Sequence, residues 1–399
     1  MKIFPKLLSD NKDFAKLFYA GCISELGGFL TDTAIALHLY NLTNQNPVFL
    51  GIARASYIFF FLIGNLFGGA LGNQFSKKKI LIFCEAMRIP LSLSLLFLKS
   101  PEIIILINAF IGIFTGAFSP SKKSLGNDLV EINQVNLVQS YFSTAMAMFH
   151  LIAPMLAAYV YTQFGFNKII YFDFFSYLIG VFLLIRIASK EKLIKEELGV
   201  IQLIKEGLDY SIKNYAMRAV FLNGVISGLS IGFLISLLLP YLDQIFSAPS
   251  KMYGTLLSLF GLGGICGGVC FLTLNKYISK GKIIFYLNFV ESSILLIWLQ
   301  VQGPILSSLL FFIWGVFVFA RLTAQMSLIS NDSPKELQNR LFSVIEVSFM
   351  LPNVIGSLLA SYLVTIHSAQ NILLGVGVFF FLATLIRFPL KETRELLKV

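Results

Sequence analysis

Hydrophobic and polar positions fall in long blocks along this chain. Twelve apolar runs, each near the ~20 residues that a membrane-crossing helix needs, are separated by short polar stretches. They cover 14–40, 48–72, 79–99, 102–121, 139–162 and 168–188, then 217–242, 252–275, 282–300, 304–324, 339–363 and 371–389. The longest polar segment, 189–216, lies between the sixth and seventh runs. It carries Lys190, Glu191, Lys192, Lys195, Glu196 and Glu197, followed by Ile201, Leu203, Ile204 and Leu208 at helical spacing. That spacing predicts an amphipathic helix on the cytoplasmic membrane surface. The whole pattern predicts an all-α membrane protein of twelve transmembrane helices in two pseudo-symmetric six-helix bundles, residues 1–188 and 217–399, joined by the 189–216 linker.

The halves repeat each other. Gly64, Gly68, Gly69 and Gly72 close the second run, a polar turn passes through Asn73, Gln74 and Ser76, and Lys77, Lys78 and Lys79 precede the next run. In the second half Gly263, Gly264, Gly267 and Gly268 end a run, Asn275 and Ser279 follow, and Lys280 and Lys282 open the next. Glycines at such spacings let helices approach closely in lipid, and lysines at a helix end mark the cytoplasmic side. Duplication predicts that the two basic turns are equivalent and that Pro154 matches Pro352.

Composition agrees with a lipid setting. Of 399 residues 56% are hydrophobic and 13% charged, with a mean hydropathy of +0.79. A soluble protein of this size has no interior large enough for that much apolar surface. The net charge of +10 is spread between the runs rather than clustered, which argues against nucleic acid as a partner. With the N-terminus inside, only Lys99, Lys168 and Lys251 fall in outer loops, and Arg54 lies in a helix on that side. That leaves 27 of the 31 basic residues at or near the cytoplasmic face, with both termini inside. Cys22, Cys84, Cys266 and Cys270 all sit in apolar runs and read as packing residues. No signal-peptide pattern, nucleotide-binding loop or metal-ligand spacing is present, so neither cofactor nor metal is expected and no enzyme chemistry.

Ionisable residues inside spanning helices are costly and mark cavities or pathways. Glu25 and Asp32 share a face of the first run, two turns apart, with Gly28 between them. Arg54 lies at a depth similar to Asp32, so the two are expected either to pair or to meet substrate. Glu85 and Arg88 share a face of the third run as a local pair or a substrate clamp. His150 lies mid-way along the fifth run, and Asp173 near the outer end of the sixth, where an acid complements a helix start. Glu291, Arg321 and Glu346 belong to the second half, the last two near the cytoplasmic side. Glu25, Asp32, Glu291 and Glu346 are the proton-coupling candidates; Arg54, Glu85, Arg88, His150 and Arg321 are the substrate-cavity candidates. Glu25 stands out, because its own helix offers no basic neighbour and desolvation would favour its protonated form.

Four stretches carry a family resemblance: Ile23-Ser24-Glu25-Leu26-Gly27 with Ala34-Ile35-Ala36-Leu37; Phe118-Ser119-Pro120 through Asp128-Leu129-Val130, placed after the fourth helix; Glu206-Gly207-Leu208-Asp209-Tyr210; and Asn339-Arg340-Leu341-Phe342-Ser343. With the twelve runs and the glycine-to-lysine turn, they resemble the major facilitator superfamily over nearly the whole chain, and within it exporters of the macrolide-efflux and enterobactin type. The turn departs from the family pattern: Gly69 leads to Asn73 and Gln74 instead of an Asp-Arg latch, leaving Lys77, Lys78 and Lys79. Pro154 and Pro352 mark the fifth and eleventh helices. The resemblance implies a monomeric secondary transporter of a bacterial inner membrane. It would export an amphiphilic small molecule, such as a siderophore or drug, in exchange for protons by alternating access around a central cavity. A lysophospholipid flippase and an importer of the same fold are the alternatives.

Overall fold

The computed structural model describes residues 4–131, 134–188, 200–334 and 337–398. The charged start of the linker, 189–199, lies outside them, as do the side chains of residues 69–74, which include Gly69 and Asn73. Among the described residues every regular element is a helix. The chain separates into two units, 1–44 with 56–199 and 45–55 with 200–399.

The first half contains α1 (Phe4–Asp10), α2 (Lys12–Leu42), α3 (Val48–Gln74), α4 (Lys77–Ser94), α5 (Pro101–Asp128), α6 (Val135–Phe164) and α7 (Phe166–Ile185). The second contains α8 (Val200–Lys213), α9 (Tyr215–Ile245), α10 (Pro249–Leu274), α11 (Lys280–Trp298), α12 (Pro304–Asp332), α13 (Gln338–Leu363), α14 (Ala369–Arg387) and α15 (Lys391–Leu396). The twelve apolar runs correspond to α2–α7 and α9–α14. Ten of these helices are long and apolar enough to cross a membrane on composition alone. The two that fall short are α2 and α4, which carry Glu25 with Asp32 and Glu85 with Arg88. In α2 these charges dilute the apolar signal, and in α4 Lys77, Lys78 and Lys79 add to them. Large apolar side chains such as Phe97, Val269 and Ile305 remain exposed on the units, as lipid-facing surface requires.

Duplication is visible residue by residue. Core residues Phe14, Leu17, Ile80, Leu81, Leu125 and Val138 stand 203 positions before Met217, Val220, Ile283, Ile284, Leu328 and Leu341 of the other core. Asn11 and Asn214, also 203 apart, cap α2 and α9 by accepting from the amides of Phe14 and Met217 at 2.9 and 3.1 Å. Lys77 reaches Asp128 at 2.5 Å, and Lys280 reaches Asp332 at 2.8 Å, so each basic turn is stapled to the end of the following helix. Lys78 donates to the carbonyls of Ile185 and Ile187 at 2.9 and 2.6 Å, while Ser76 caps α4 through the amide of Lys79. The missing Asp-Arg latch is therefore replaced by lysine contacts. The expected match of the prolines fails. α6 and α13 start at 135 and 338, which puts Pro154 nineteen residues into its helix and Pro352 fourteen. They differ in height by more than one turn.

Glycine sets the closest crossings. A methyl group added at Gly64 or Gly68 would fall onto the α5 backbone at Ile113 or Ala117, and one at Gly263 onto α12 at Phe312. In the second unit Gly224, Gly228 and Gly232, one turn apart, seat α9 on α13 at Ser348, Phe349 and Asn353. α8 falls within the predicted amphipathic segment. Gly207 lies against the Arg340 backbone, Arg340 pairs with Glu206, and Ser211 is buried, so one side of α8 docks on α13.

Candidate functional site

Polar residues that bind to nothing are rarely kept inside a membrane bundle. Ion pairs buried at spanning depth include the following three. The first joins Lys122 of α5 to Glu25 of α2. The second joins Arg88 to Glu85 within α4 at 3.0 Å. The third joins Arg321 of α12 to Glu291 of α11, with Nε and Nη2 donating to the two carboxylate oxygens at 2.5 and 3.0 Å.

Glu25, which has no basic neighbour on its own helix, meets a base of another. That base lies 97 residues along the chain. The predicted fourth run ends at 121, just short of Lys122, but α5 continues to Asp128, and Lys122 is buried between Phe118 and Leu125 of the same face. An added Cβ at Gly21 would stand 2.9 Å from Lys122 Cδ, and the Phe142 ring lies 4.7 Å from its ammonium. α2 packs against α5, α6 and α7, and the stripe it leaves partly open carries Glu25, Phe29 and Asp32. His150 of α6 meets Phe29 edge-on at 4.6 Å and is exposed.

The Glu85–Arg88 group is sealed. Glu85 and Asp173 have no exposed surface and Arg88 is 2% exposed. The guanidinium stacks on the rings of Phe118 and Tyr177, both at 4.7 Å. Ser92 donates to Asp173 at 2.8 Å. Gly27 leaves room for the Asp173 carboxylate and Gly180 for that of Glu85, at 2.7 and 3.2 Å from an added Cβ. Asp173 is the eighth residue of α7, so it does not complement a helix start as expected; it belongs to this inner group. Arg88 is engaged there and is not open to a cavity.

In the second unit Glu291 and Arg321 are 2% and 3% exposed. Beside them Asn288 donates to Asn223 at 2.6 Å. Glu346 is exposed on α13, and the position 203 residues after Glu25 is Gly228 of the tight α9–α13 seam. The two units thus share cores and staples but differ where Glu25 stands. Asp32 belongs to the first unit, while Arg54, in segment 45–55, belongs to the second.

Two helical units that together carry twelve apolar helices, with ion pairs buried inside them, define a polytopic membrane protein. The family model described as Major Facilitator Superfamily matches residues 17–351, with a further match over 220–398, and the chain belongs to that superfamily. It is 22% identical over 384 residues to a staphyloferrin A transporter of Staphylococcus aureus (strain NCTC 8325 / PS 47), covering 90% of this chain and 94% of that one. Among solved structures, a peptide transporter in complex with alafosfalin superposes with a TM-score of 0.78 at 13% identity, covering 98% of this chain and 96% of that one. A D-xylose-proton symporter gives 0.70 at 15% identity, covering 96% and 99%.

Proposed function

We propose that this protein is a proton-coupled exporter of a siderophore or other amphiphilic small molecule. It works by alternating access in a bacterial cytoplasmic membrane, as a monomer with both termini inside. The observation that carries this reading is the open stripe of α2, where Glu25, Phe29 and Asp32 stand with Lys122 and His150 at the depth of a spanning helix. Charged and aromatic groups in that position suit an amphiphilic cargo and a titrating carrier. The staphyloferrin A transporter supports a siderophore as the cargo class. The test is transport in proteoliposomes of siderophores, hydrophobic drugs and lysolipids, with a pH gradient imposed in either direction. Gradient-dependent movement of a siderophore or drug is expected; movement of none of them would overturn the reading.

A recess of about 650 Å³ in the second unit favours a lipid cargo as the second reading. It is lined by Leu229, Phe233, Leu359, Val376 and Phe379, with His367 and Asn371 also on its wall. An acyl chain with a polar head fits that distribution, and lysolipid movement in the same assay decides it.

A further inference from the structure

The duplicated halves close one seam and leave its counterpart open. α7 and α14 start 203 positions apart, at Phe166 and Ala369, as do α2 and α9, at Lys12 and Tyr215. In the first unit α2 lies flush on α7: a Cβ added at Gly27 would stand 2.5 Å from Ser176 Oγ and 2.7 Å from Asp173 Oδ1. The residues 203 positions further on are Ser230, Phe379 and Val376. Glycine has become serine and serine has become phenylalanine, so the same flush contact has no room. The seam opens there into the recess of about 650 Å³ that all three residues line.

The shape and chemistry of that recess point to its occupant. The wall holds empty width, since a Cβ added at Gly375, itself part of the lining, meets nothing within 4 Å. His367 and Asn371 sit at one end, by the α13–α14 turn. Eight residues of α14, about 12 Å of helix, separate Asn371 from Phe379 at the apolar end. The mouth gives onto an apolar surface: Leu359 and Phe379 are 42% and 46% exposed, and α14 continues with Leu382, Leu385 and Ile386, all exposed. No charged residue interrupts α14 between Ala369 and Ile386. A molecule that fits has a slender apolar body and a hydrogen-bonding head at the membrane boundary. Bilayer phospholipids have that form, and they are what an apolar mouth at spanning depth meets.

We propose that the recess is a standing site for one acyl chain of a bilayer phospholipid, whose phosphate and ester oxygens accept hydrogen bonds from His367 and Asn371. In the proposed orientation this lipid belongs to the outer leaflet. The chain fills the seam that the first unit closes with its own side chains, so the lipid is part of the packing of the second unit. The inference uses the observation behind the lipid-cargo reading without depending on that reading, because the site is filled whichever molecule is carried.

The test uses the full chain, freed of lipid in detergent and reconstituted into vesicles of phosphatidylglycerol and phosphatidylethanolamine. A trace of phosphatidylglycerol bearing a diazirine in its acyl chain is the probe, and illumination followed by peptide mass spectrometry locates it. Label on the α13 and α14 residues of the recess should exceed by roughly tenfold that on Val269 and Leu272, exposed on α10, which report ordinary lipid contact. Gly375→Phe places a ring in the empty width and should lower the recess label to the Val269 level. Val378→Phe, on the exposed face of the same helix, should leave it unchanged. His367→Ala with Asn371→Ala should lower it severalfold. In detergent, added phosphatidylglycerol should raise the melting temperature of lipid-free wild type by about 5 °C and leave that of Gly375→Phe unmoved. Recess label no higher than at Val269, full label in Gly375→Phe, or an equal lipid shift in both proteins would each overturn the proposal. Should Gly375→Phe fail to fold, full label in the His367 and Asn371 double variant overturns it instead. Loss of the label when lysolipid moves under a pH gradient would give the recess to a cargo and overturn the standing site. The transport reading fails separately. A labelled recess without gradient-driven transport of any compound would remove that reading and keep the site, and transport of a siderophore or drug by a chain whose recess is unlabelled would do the reverse.

Discussion

Arg321→Leu tests the buried pairing of the second unit most sharply. Arg321 places two donors on the Glu291 carboxylate, at 2.5 and 3.0 Å, with the residues 3% and 2% exposed. Leucine removes the cation and leaves the acid. An unpaired buried charge costs several kcal/mol, but a carboxylate can take up a proton where a guanidinium cannot lose one. Holding protonated at pH 7 a carboxyl that ordinarily titrates near ~4.3 costs about 3.7 kcal/mol, which caps the charge part of the deficit. In that variant the folded chain binds one more proton than the unfolded chain above pH ~4.3, so its stability falls as pH rises. Going the other way, the deficit against wild type should shrink by about 1.4 kcal/mol per pH unit, to about 1 kcal/mol near pH 5. Glu291→Gln leaves the guanidinium charged, and its deficit should stay flat. Replacing both residues by leucine should be neutral or stabilising. Denaturant titration in mixed micelles from about pH 5 to pH 8 reads this through Trp298 and Trp314, the protein's two tryptophans, both in the second unit. A deficit in Arg321→Leu that does not change with pH, or a double variant as unstable as the two singles combined, would refute the pairing argument.

Further tests address packing, staples and topology. Gly228→Leu should push α9 off α13 at Phe349 and lower stability by about 3 kcal/mol or more, whereas Gly268→Ala, with nothing within 4 Å of the added carbon, should leave the melting temperature unchanged. Lys77→Gln and Lys280→Gln remove staples whose carboxylates are 26% and 37% exposed, and should each cost about 1 kcal/mol, a difference reduced by high salt. In the sealed group, Asp173→Asn should be far better tolerated than Arg88→Leu, because two carboxyls share one guanidinium there; yield and melting temperature in detergent decide. Cysteines placed at Asn44 and Lys205 in a cysteine-free background should label from opposite sides of the membrane, and labelling from one side would overturn the proposed orientation.

The fold was readable because its signal is local. Apolar runs, glycine spacings and lysine turns are patterns within about twenty residues of one another, and α2–α7 and α9–α14 follow them. Glu85–Arg88 was readable for the same reason, being three residues apart on one helix. Glu25–Lys122 and Glu291–Arg321 join residues on different helices, and no periodicity encodes which helix lies next to which. Lys122 was lost for a second reason: the predicted fourth run ends at 121, just short of it. The signal that would have retained it is the face formed by Phe118, Lys122 and Leu125, which continues the helical spacing past Pro120. α8 shows the reverse limit, since an amphipathic pattern reports an apolar face without saying whether lipid or protein covers it.

The Asn caps, lysine staples and matched cores also bear on how the chain is built during synthesis. Each half closes them with residues of its own; Lys77 waits only 51 residues for Asp128, and Lys280 only 52 for Asp332. The first bundle can be assembled in the membrane while the second is still on the ribosome, so the insertion machinery handles two successive six-span proteins that happen to share a message. One stretch must wait. Segment 45–55 groups with the later unit, and Gly51 finds its neighbours at Ser357 and Ser361. The start of α3 is made early and settled last, and that order is open to arrest of translation at defined lengths.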